Sequence, residues 1–287
     1  MALIDKLAAI ANAIRSKTGG TTPLTLNQMA TEIEGISVGG GSAGAEGGFV
    51  DKTITTYTNN KIKLVGSYAF YQCSNLTYVS FPACERIYNY AFQETKLTTA
   101  NFPVCTSIGT YGFFKCYPLI SANFPVCKSV GDGVFYQCYS LASVNFPACE
   151  YIGAQAFYQC SNLTTANFPA CISIRNGAFT SCSKLTSVNF PVCVSISDYA
   201  FTYCSSLTTV SFPACVSIGK YAFSYCTNLK EIYLMGSSLC VLSNSNAFSV
   251  TSIWSNKGSI FVPASLVETY KAATNWAYFK ARIFSAS

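Results

Sequence analysis

The chain contains no histidine among its 287 residues, and only 10% of its residues are charged. The lack of histidine removes the side chain that most often transfers protons near neutral pH and that serves as the base in most catalytic triads. It also removes a frequent ligand of zinc. Reactions that depend on histidine are therefore excluded for this sequence.

Carboxylates are few and widely spaced. In the central part of the chain they include Glu85, Glu94, Asp132, Glu150 and Asp198. Those that share a repeat position, described below, are three repeats apart, or roughly 14 Å at the spacing of paired strands. Glycoside hydrolysis needs two carboxyl groups ~5 to 9.5 Å apart. The glycine run that starts at Gly39 also lacks the lysine of a phosphate loop. We therefore expect neither enzyme activity nor a cofactor.

Long apolar runs are missing, although half of the residues are hydrophobic. None approaches the ~18 to 20 residues that cross a bilayer, so we expect no membrane span. Asp5 and Lys6 interrupt the first apolar stretch, which argues against a cleaved signal peptide. We expect synthesis in the cytoplasm, then incorporation into a virion or display on a cell by a route without such a signal. The net charge of +6 is scattered and does not indicate nucleic-acid binding.

A phenylalanine-proline step recurs along the chain, every 22 residues from Phe102 onward (124 − 102, for example). Its phenylalanines are Phe81, Phe102, Phe124, Phe146, Phe168, Phe190 and Phe212. A fixed period of 20 to 50 residues is typical of solenoids, in which each unit packs only on its neighbours. The sequence therefore predicts a β-rich repeat solenoid of about eight coils.

Each repeat divides into two parts. Residues 185–190 read L-T-S-V-N-F and alternate apolar with small polar side chains, which predicts a half-buried strand that ends before Pro191. Strands one coil apart would then pair in parallel. The rest of the repeat is short and contains glycine, which predicts turns, 3₁₀ helix or a short second strand.

Residues 152–163 read I-G-A-Q-A-F-Y-Q-C-S-N-L, and the other coils repeat this string with few changes. The pattern resembles the BspA-like class of bacterial leucine-rich repeats over about residues 65–234. The phenylalanine before proline is a departure, because family members more often carry an aliphatic residue there. The resemblance implies a leucine-rich-repeat solenoid that recognises surfaces and mediates adhesion without catalysis.

The cysteines follow the same period. Fourteen of the 15 lie in the repeats, nearly all 11 residues apart, as Cys149, Cys160 and Cys171 show. Half a period apart, they form two columns. Their spacing contains no C-x₂₋₄-C pair for a metal, and a thiol nucleophile would need a nearby base. We therefore predict buried core residues with free thiols, and no metal site.

The sequence divides into five segments by composition. Residues 1–38 carry two apolar helical stripes and predict a helical head for attachment or oligomerisation. Residues 39–48 form a glycine-rich linker, 49–66 an amino-terminal cap, and 67–234 the repeat solenoid. Residues 235–287 form a carboxy-terminal cap, with a last strand at 260–263 and helices at 265–273 and 276–283.

Two short strings in the end segments carry a further resemblance. Residues 24–33 read L-T-L-N-Q-M-A-T-E-I, and this string is similar to amino-terminal segments of bacteriophage tail-associated proteins. Residues 262–276 are similar to the closing segment of many phage and gut-bacterial repeat proteins. The resemblance implies that the chain belongs to a larger particle.

Two sets of side chains are candidates for a binding surface. The first is a column of asparagines on the outward side of the predicted strands: Asn101, Asn123, Asn145, Asn167 and Asn189. The second is a set of tyrosines around the other repeated phenylalanine, which lies 11 residues after the one in the phenylalanine-proline step (157 − 146, for example). They lie two residues before or one residue after it: Tyr111, Tyr136, Tyr158, Tyr199 and Tyr221. Tyrosine provides large contact area at low entropy cost, as at many binding surfaces. In a solenoid, such ladders also pack simply on one another.

Three functions are consistent with these features. The leading hypothesis is a non-catalytic adhesion or receptor-binding protein, associated with a phage tail, whose partner is a protein or a cell-surface glycan. The second is a bacterial cell-surface or secreted adhesin. The third is a glycan-binding accessory module of an enzyme system. The sequence does not identify the ligand.

Overall fold

The computed structural model describes residues 52–286, which form a β-solenoid of about ten turns. This confirms the predicted fold class. Each coil contains a strand of three residues, a proline corner, a strand of two residues and a tight turn. The predicted head and linker, and the start of the amino-terminal cap, lie outside the described residues. Within residues 52–286 no helix is long and apolar enough to span a membrane.

Two series of strands alternate along the chain. The longer strands are Thr56–Thr58 (β1), Tyr78–Ser80 (β3), Thr99–Asn101 (β5), Ser121–Asn123 (β7), Ser143–Asn145 (β9), Thr165–Asn167 (β11), Ser187–Asn189 (β13), Thr209–Ser211 (β15), Glu231–Tyr233 (β17), Ser259–Val262 (β19) and Ile283–Ser285 (β20). The two-residue strands are Leu64–Val65 (β2), Arg86–Ile87 (β4), Ser107–Ile108 (β6), Ser129–Val130 (β8), Tyr151–Ile152 (β10), Ser173–Ile174 (β12), Ser195–Ile196 (β14), Ser217–Ile218 (β16) and Val241–Leu242 (β18).

All strands pair in parallel with their equivalents in neighbouring coils. The two-residue strands form one sheet of nine strands, from β2 to β18. The longer strands form four separate sheets, β1-β3, β5-β7-β9, β11-β13 and β15-β17-β19-β20. The register keeps equivalent residues opposite each other, as Ile152 faces Ile174. The sequence left turns, 3₁₀ helix and a short second strand open for this part of the repeat. Directly after the proline corner, the structure has the short second strand.

The tight turns add a third ladder of backbone hydrogen bonds. Around Phe201, the amides of Tyr199, Phe201 and Tyr203 donate to carbonyl oxygens of the next coil at 2.9, 2.7 and 2.9 Å. Tyr199 and Tyr203 have left-handed backbones, with φ of 59° and 62°. This conformation is uncommon outside glycine, and here it turns alternate amides toward the next coil. The tight turn is therefore held by the stack of coils.

The core consists of stacked phenylalanines and cysteines. Phe157 stacks on Phe179 with ring centroids 5.0 Å apart, and Phe146 on Phe168 at 5.8 Å. All fifteen cysteines are buried, which confirms their predicted place in the core. Cys160 shows how one column is satisfied, because its thiol donates to the carbonyl oxygen of Phe135 at 3.2 Å. Both columns thus pack as small apolar residues with weak polar partners.

One coil lacks a cysteine and is one residue shorter than the others. Thr95 takes the cysteine position, and its hydroxyl donates to the carbonyl oxygen of Phe92 at 2.9 Å. The same hydroxyl lies 3.3 Å from the sulfur of Cys116 in the next coil. A hydroxyl therefore replaces the thiol without interrupting the column.

The carboxy-terminal cap differs from the prediction in two ways. The predicted helices are short: an α-helix spans Val267–Ala272 (α1), and 3₁₀ helices span Ala264–Leu266 and Ala277–Arg282. The strand predicted as the last one, β19, is followed by β20, which pairs with it in parallel. The prediction that the second helix extends to residue 283 is wrong, because Ile283 begins β20. The β-branched side chain of Ile283 and the aromatic side chain of Phe284 suit the edge that β19 would otherwise leave unpaired.

Candidate binding surface

The asparagine column forms a hydrogen-bonded ladder. The side-chain amide of Asn123 donates to Asn101 at 2.8 Å, and that of Asn145 donates to Asn123 at 2.7 Å. Asn189 donates to Asn167 at 2.8 Å. The ladder is interrupted between Asn145 and Asn167, where β9 and β11 belong to separate sheets. Each of these side-chain amides keeps at least one N–H and one lone pair for an outside partner.

The tight turns carry three columns of side chains, which together we call the turn surface. The first turn column lies two residues before the core phenylalanine: Tyr68, Tyr90, Tyr111, Gly133, Gln155, Gly177, Tyr199 and Tyr221. The second lies one residue after it: Tyr71, Gln93, Phe114, Tyr136, Tyr158, Thr180, Thr202 and Ser224. The third lies two residues after it: Gln72, Glu94, Lys115, Gln137, Gln159, Ser181, Tyr203 and Tyr225. The first and third columns have left-handed backbones throughout.

The structure places all five predicted tyrosines on this turn surface, in two groups. Tyr111 contacts Phe114 edge-on, with centroids 5.1 Å apart. Phe114 packs on Tyr136 at 5.3 Å, and Tyr136 stacks on Tyr158 at 4.5 Å. This aromatic strip crosses from the first turn column to the second.

Tyr199 and Tyr221 form the other group, in which the two rings stack at 5.2 Å. The tyrosines therefore do pack on one another within each group. Their outer parts remain accessible, and Tyr199 is 43% exposed.

Between the two groups, one coil has only small side chains on the turn surface. This coil carries Gly177, Thr180 and Ser181 in the three turn columns. A cavity of about 560 Å³ opens there. It extends from Tyr158 on one side to the coils of Tyr199 and beyond on the other. We call it the Gly177 cavity. Its volume lies within the ~300 to 1,000 Å³ range of small-molecule sites.

Sequence reasoning missed two further tyrosines of this cavity, Tyr203 and Tyr225. They stack on each other at 4.6 Å and are 49% and 43% exposed. The sequence does contain a sign of them, because the two tyrosines are one period of 22 residues apart (225 − 203). They occupy the third turn column, which carries glutamine in three other coils.

The floor of the Gly177 cavity is lined with hydroxyl groups. Thr180 donates its hydroxyl hydrogen to the carbonyl oxygen of Tyr199 at 2.8 Å, and Thr202 donates to that of Tyr221 at 2.6 Å. Ser224 and Ser249 share a hydrogen bond of 2.6 Å. None of the residues that line the cavity is charged. The cavity therefore combines aromatic walls with a neutral polar floor.

A second cavity on the turn surface, of about 530 Å³, differs in charge. It lies along Tyr90, Tyr111 and Tyr136, and it includes Lys115. The ammonium group of Lys115 lies 5.0 Å from the centre of the Phe114 ring, within the distance of a cation–π contact. The same surface thus presents a cationic concavity in addition to the neutral Gly177 cavity.

Burial makes several of the thiols poorly suited to nucleophilic chemistry, whereas side-chain hydrogen bonds with Cys105 and with Cys240 lower the pKa of Cys84 and of Cys215. Burial raises the pKa of Cys127, Cys149 and Cys193 to about 12, and that of fully buried Cys160 well above its ordinary value. A thiol reacts as its thiolate, so a raised pKa makes it unreactive near neutral pH. Residues 52–286 contain no cluster of three or more metal-ligating side chains.

Comparisons with solved structures find leucine-rich-repeat proteins. One, from Bacteroides ovatus, is 18% identical, with a TM-score of 0.38 over 82% of this chain and 85% of that protein. A leucine-rich cell surface protein from Faecalibacterium prausnitzii is 19% identical, with a TM-score of 0.43 over 82% of this chain and 64% of that protein. A leucine-rich repeat protein from T. pallidum is 24% identical, with a TM-score of 0.46 over 61% of this chain and 78% of that protein. No curated protein matches the chain significantly.

The family comparison covers most of the chain. Six copies of the model for the BspA-type leucine-rich repeat region match residues 49–164 and 150–271. Repeat proteins of this type are generally involved in binding or adhesion and are usually non-catalytic. The matched residues include every coil that carries the turn columns. This chain belongs to the BspA-type leucine-rich repeat family.

Proposed function

We propose that the chain is a non-catalytic receptor-binding module of a larger particle, with a phage tail as the favoured setting. In this proposal the solenoid binds the target, and residues 1–38 attach the chain to the larger particle. The target is a protein or a glycan on a cell surface. The observation that carries the proposal is the turn surface, where accessible tyrosines line a neutral cavity and a cationic cavity on a scaffold of stacked coils.

Two features of the chain support separate roles for the solenoid in target binding and for residues 1–38 in attachment. The described solenoid contains its own core, so its coils need no contact with the head to pack. The end strings that are similar to phage tail-associated proteins support the virion setting. Display in many copies would raise avidity without any new contact, because linked modules bind at high effective concentration.

Cell binding tests the proposed function directly. Labelled full-length protein is mixed with cells of a panel of bacterial strains, and the bound fraction is measured by flow cytometry. We expect saturable binding to some strains and none to others. Absence of binding to every strain, by a chain that is folded by circular dichroism, would contradict the proposal.

The setting is tested separately from the binding. An antibody to the solenoid is used on purified virions and on the surface fraction of the producing bacterium. The phage proposal predicts signal in virions, whereas a bacterial surface adhesin predicts signal on the producing cells.

The oligomeric state tests the proposed role of residues 1–38. Light scattering should give an oligomer for the full chain and a monomer for residues 49–287. If both proteins contained the same number of chains per particle, assembly through the head would be contradicted.

A further inference from the structure

We propose that the Gly177 cavity binds an uncharged sugar ring of a glycan, stacked on tyrosine and hydrogen bonded to the hydroxyl-lined floor. This inference rests on the proposed binding function and names the ligand class of one part of its surface. The site involves Tyr158, Gly177, Thr180, Tyr199 and Tyr203.

The first argument is the interruption of the three turn columns in a single coil. Gly177, Thr180 and Ser181 stand where adjoining coils carry Tyr199, Tyr158 and Tyr203. Coils in a parallel ladder are about 4.8 Å apart, so the coils on either side of Gly177 are separated by roughly 10 Å. One ring fits between them at ordinary stacking distance on each side. The interruption therefore has the dimensions of a single ring-shaped ligand.

A comparison of two glycines shows that this space is not filled by the protein itself. Gly133 occupies the same turn column, but there the ring of Tyr111 lies over the position that a side chain would take. At Gly177 a β-carbon would have only the Thr180 hydroxyl oxygen at 3.3 Å and Cγ of Gln155 at 3.5 Å within 4 Å. No aromatic ring lies that close. The space above Gly177 is thus open to a ligand.

Tyrosine faces form the wall on the Tyr199 side of the space. Tyr199 stacks on Tyr221, and Tyr203 stacks on Tyr225, in both cases on the side away from Gly177. Within residues 52–286 neither Tyr199 nor Tyr203 has a second ring partner. Each therefore presents one ring face toward the Gly177 coil. The C–H groups of a pyranose ring pack against such a face, which carries the negative part of the aromatic quadrupole.

The floor requires a ligand that donates hydrogen bonds. Thr180 and Thr202 already donate their hydroxyl hydrogens to backbone carbonyls, so their oxygens can only accept. At the rim, the side-chain amides of Gln155 and Asn176 make no hydrogen bond to any described residue. A sugar carries several hydroxyls that both donate and accept. An aromatic side chain from a protein offers at most one polar group and would leave this floor unmatched.

Charge selects neutral sugars over acidic or basic ones. The cavity lining contains no lysine, arginine, aspartate or glutamate. A carboxylate or a phosphate would lose its hydration there without gaining an ionic partner, which is costly. The cavity that includes Lys115 adjoins this one at Gln155, but Lys115 itself does not line the Gly177 cavity. The Gly177 cavity therefore suits hexose or pentose units without charged substituents.

The decisive variant fills the cavity from within. Five tyrosines occupy the same turn column at φ of 56° to 59°, close to the 61° of Gly177. Gly177→Tyr should therefore fold, stack on Tyr199, and raise or preserve the thermal midpoint. The same ring would occupy the proposed sugar position. We expect this variant to lose glycan binding while it remains at least as stable as the original protein.

A second variant removes the walls and has a matched control. Tyr199→Gln with Tyr203→Gln installs the residues that Gln155 and Gln159 already provide in those columns. We expect affinity to fall by about tenfold or more, as for the loss of well-packed ring contacts. The control is Tyr78→Gln with Tyr151→Gln, whose rings are 48% and 47% exposed and lie on strands β3 and β10, outside this cavity. The control should bind as the original protein does.

The experiment uses the full chain with mannohexaose, cellohexaose, maltohexaose, xylohexaose and galactan, each titrated to millimolar concentration by calorimetry. Polygalacturonic acid and a tyrosine-rich peptide serve as charged and protein-like probes. Binding of a neutral glycan that Gly177→Tyr abolishes supports the proposal. The proposal is overturned if no neutral glycan binds, if Gly177→Tyr binds normally, or if only the charged or peptide probe binds. Cell binding by a protein that binds none of the neutral glycans would leave the proposed function standing and reject this site.

Discussion

The hydroxyl group of Thr202 donates a hydrogen bond of 2.6 Å to the carbonyl oxygen of Tyr221 in the next coil. Thr202 is only 6% exposed, and the same carbonyl oxygen also accepts a hydrogen bond from the backbone N–H of Ser224 at 3.0 Å. Thr180 makes the equivalent bond to Tyr199 at 2.8 Å. The second turn column thus positions the tyrosines of the first.

Replacing Thr202 by valine removes this hydrogen bond while it keeps the side-chain shape. We expect the free energy of unfolding to fall by about 0.5 to 1.5 kcal/mol, because one of the two hydrogen bonds to this carbonyl oxygen is lost while the Ser224 amide still donates to it. Urea denaturation followed by tryptophan fluorescence measures the change. The control is Thr208→Val, at an exposed threonine whose hydroxyl bonds to no described residue. Equal effects of the two substitutions would show that the Thr202 bond contributes nothing specific.

The buried thiols should make the protein sensitive to alkaline pH. An unfolded cysteine ionises near pH 8.5, whereas burial raises the pKa of Cys127, Cys149 and Cys193 to about 12 in the folded chain. Because the folded state holds these protons more tightly, their contribution to stability is complete below pH ~8.5. It is lost as the pH rises toward 12, by about 1.4 kcal/mol per pH unit for each thiol.

The measurement is the free energy of unfolding in urea at intervals from pH 7 to pH 11 under reducing conditions. Replacing Cys127, Cys149 and Cys193 by alanine should lower stability at pH 7 and also flatten the alkaline slope. An unchanged slope in this variant would mean that other groups, such as tyrosines, control alkaline unfolding. In the original protein at pH 7, a thiol reagent should react slowly until urea exposes all fifteen cysteines.

The repeat was readable from the sequence because a single period fixes every coil. Val188 and Phe190 alternate with polar residues, and they lie in or directly after β13. The cysteine columns follow from their spacing in the same way. Residue types alone were sufficient to predict the strands and the buried columns, because each repeat position has equivalent neighbours in nearly every coil.

The turn surface was harder to predict, for a physical reason. Left-handed backbone is expected at glycine or asparagine, but here it occurs at Tyr199, Tyr203 and Gln155. The bonds to the next coil impose it, so no local residue preference reveals it. Gly133 and Gly177 were the only sign, because glycine takes the place of tyrosine in two coils of that column. The Gly177 cavity depends on three columns being small in one coil, which becomes visible only when the turn columns are aligned in space.

The carboxy-terminal cap depends on a polar contact that a single-atom change can test. The backbone N–H of Cys240 donates to the hydroxyl oxygen of Tyr270 at 2.9 Å, in a buried position. Tyr270→Phe removes that oxygen alone and leaves the N–H without a partner. We expect a loss of about 1 to 3 kcal/mol in the free energy of unfolding. Tyr278→Phe is the control, since that side chain is 58% exposed, and it should have almost no effect.

The modular nature of the solenoid predicts opposite outcomes for two deletions. Removal of residues 146–167, one complete period, joins Asn145 to Phe168 and keeps every type of contact between coils. We expect a folded protein with a modest loss of stability. Removal of residues 262–287 takes away β20 and the buried Trp276, whose indole N–H donates to the carbonyl oxygen of Cys240 at 2.7 Å. This deletion exposes the last coil and the edge of β19.

The cap deletion should therefore lower the thermal midpoint more than the internal deletion does, and it should cause association through the exposed strand edge. Circular dichroism measures the first effect, and light scattering measures the second. The comparison is informative because the two deletions are of similar length, 22 and 26 residues (167 − 146 + 1 and 287 − 262 + 1). A folded, monomeric cap deletion beside an unfolded internal deletion would mean that the coils do not act as interchangeable units. Stability would then depend on particular coils, contrary to the additive stacking that the in-register ladders imply.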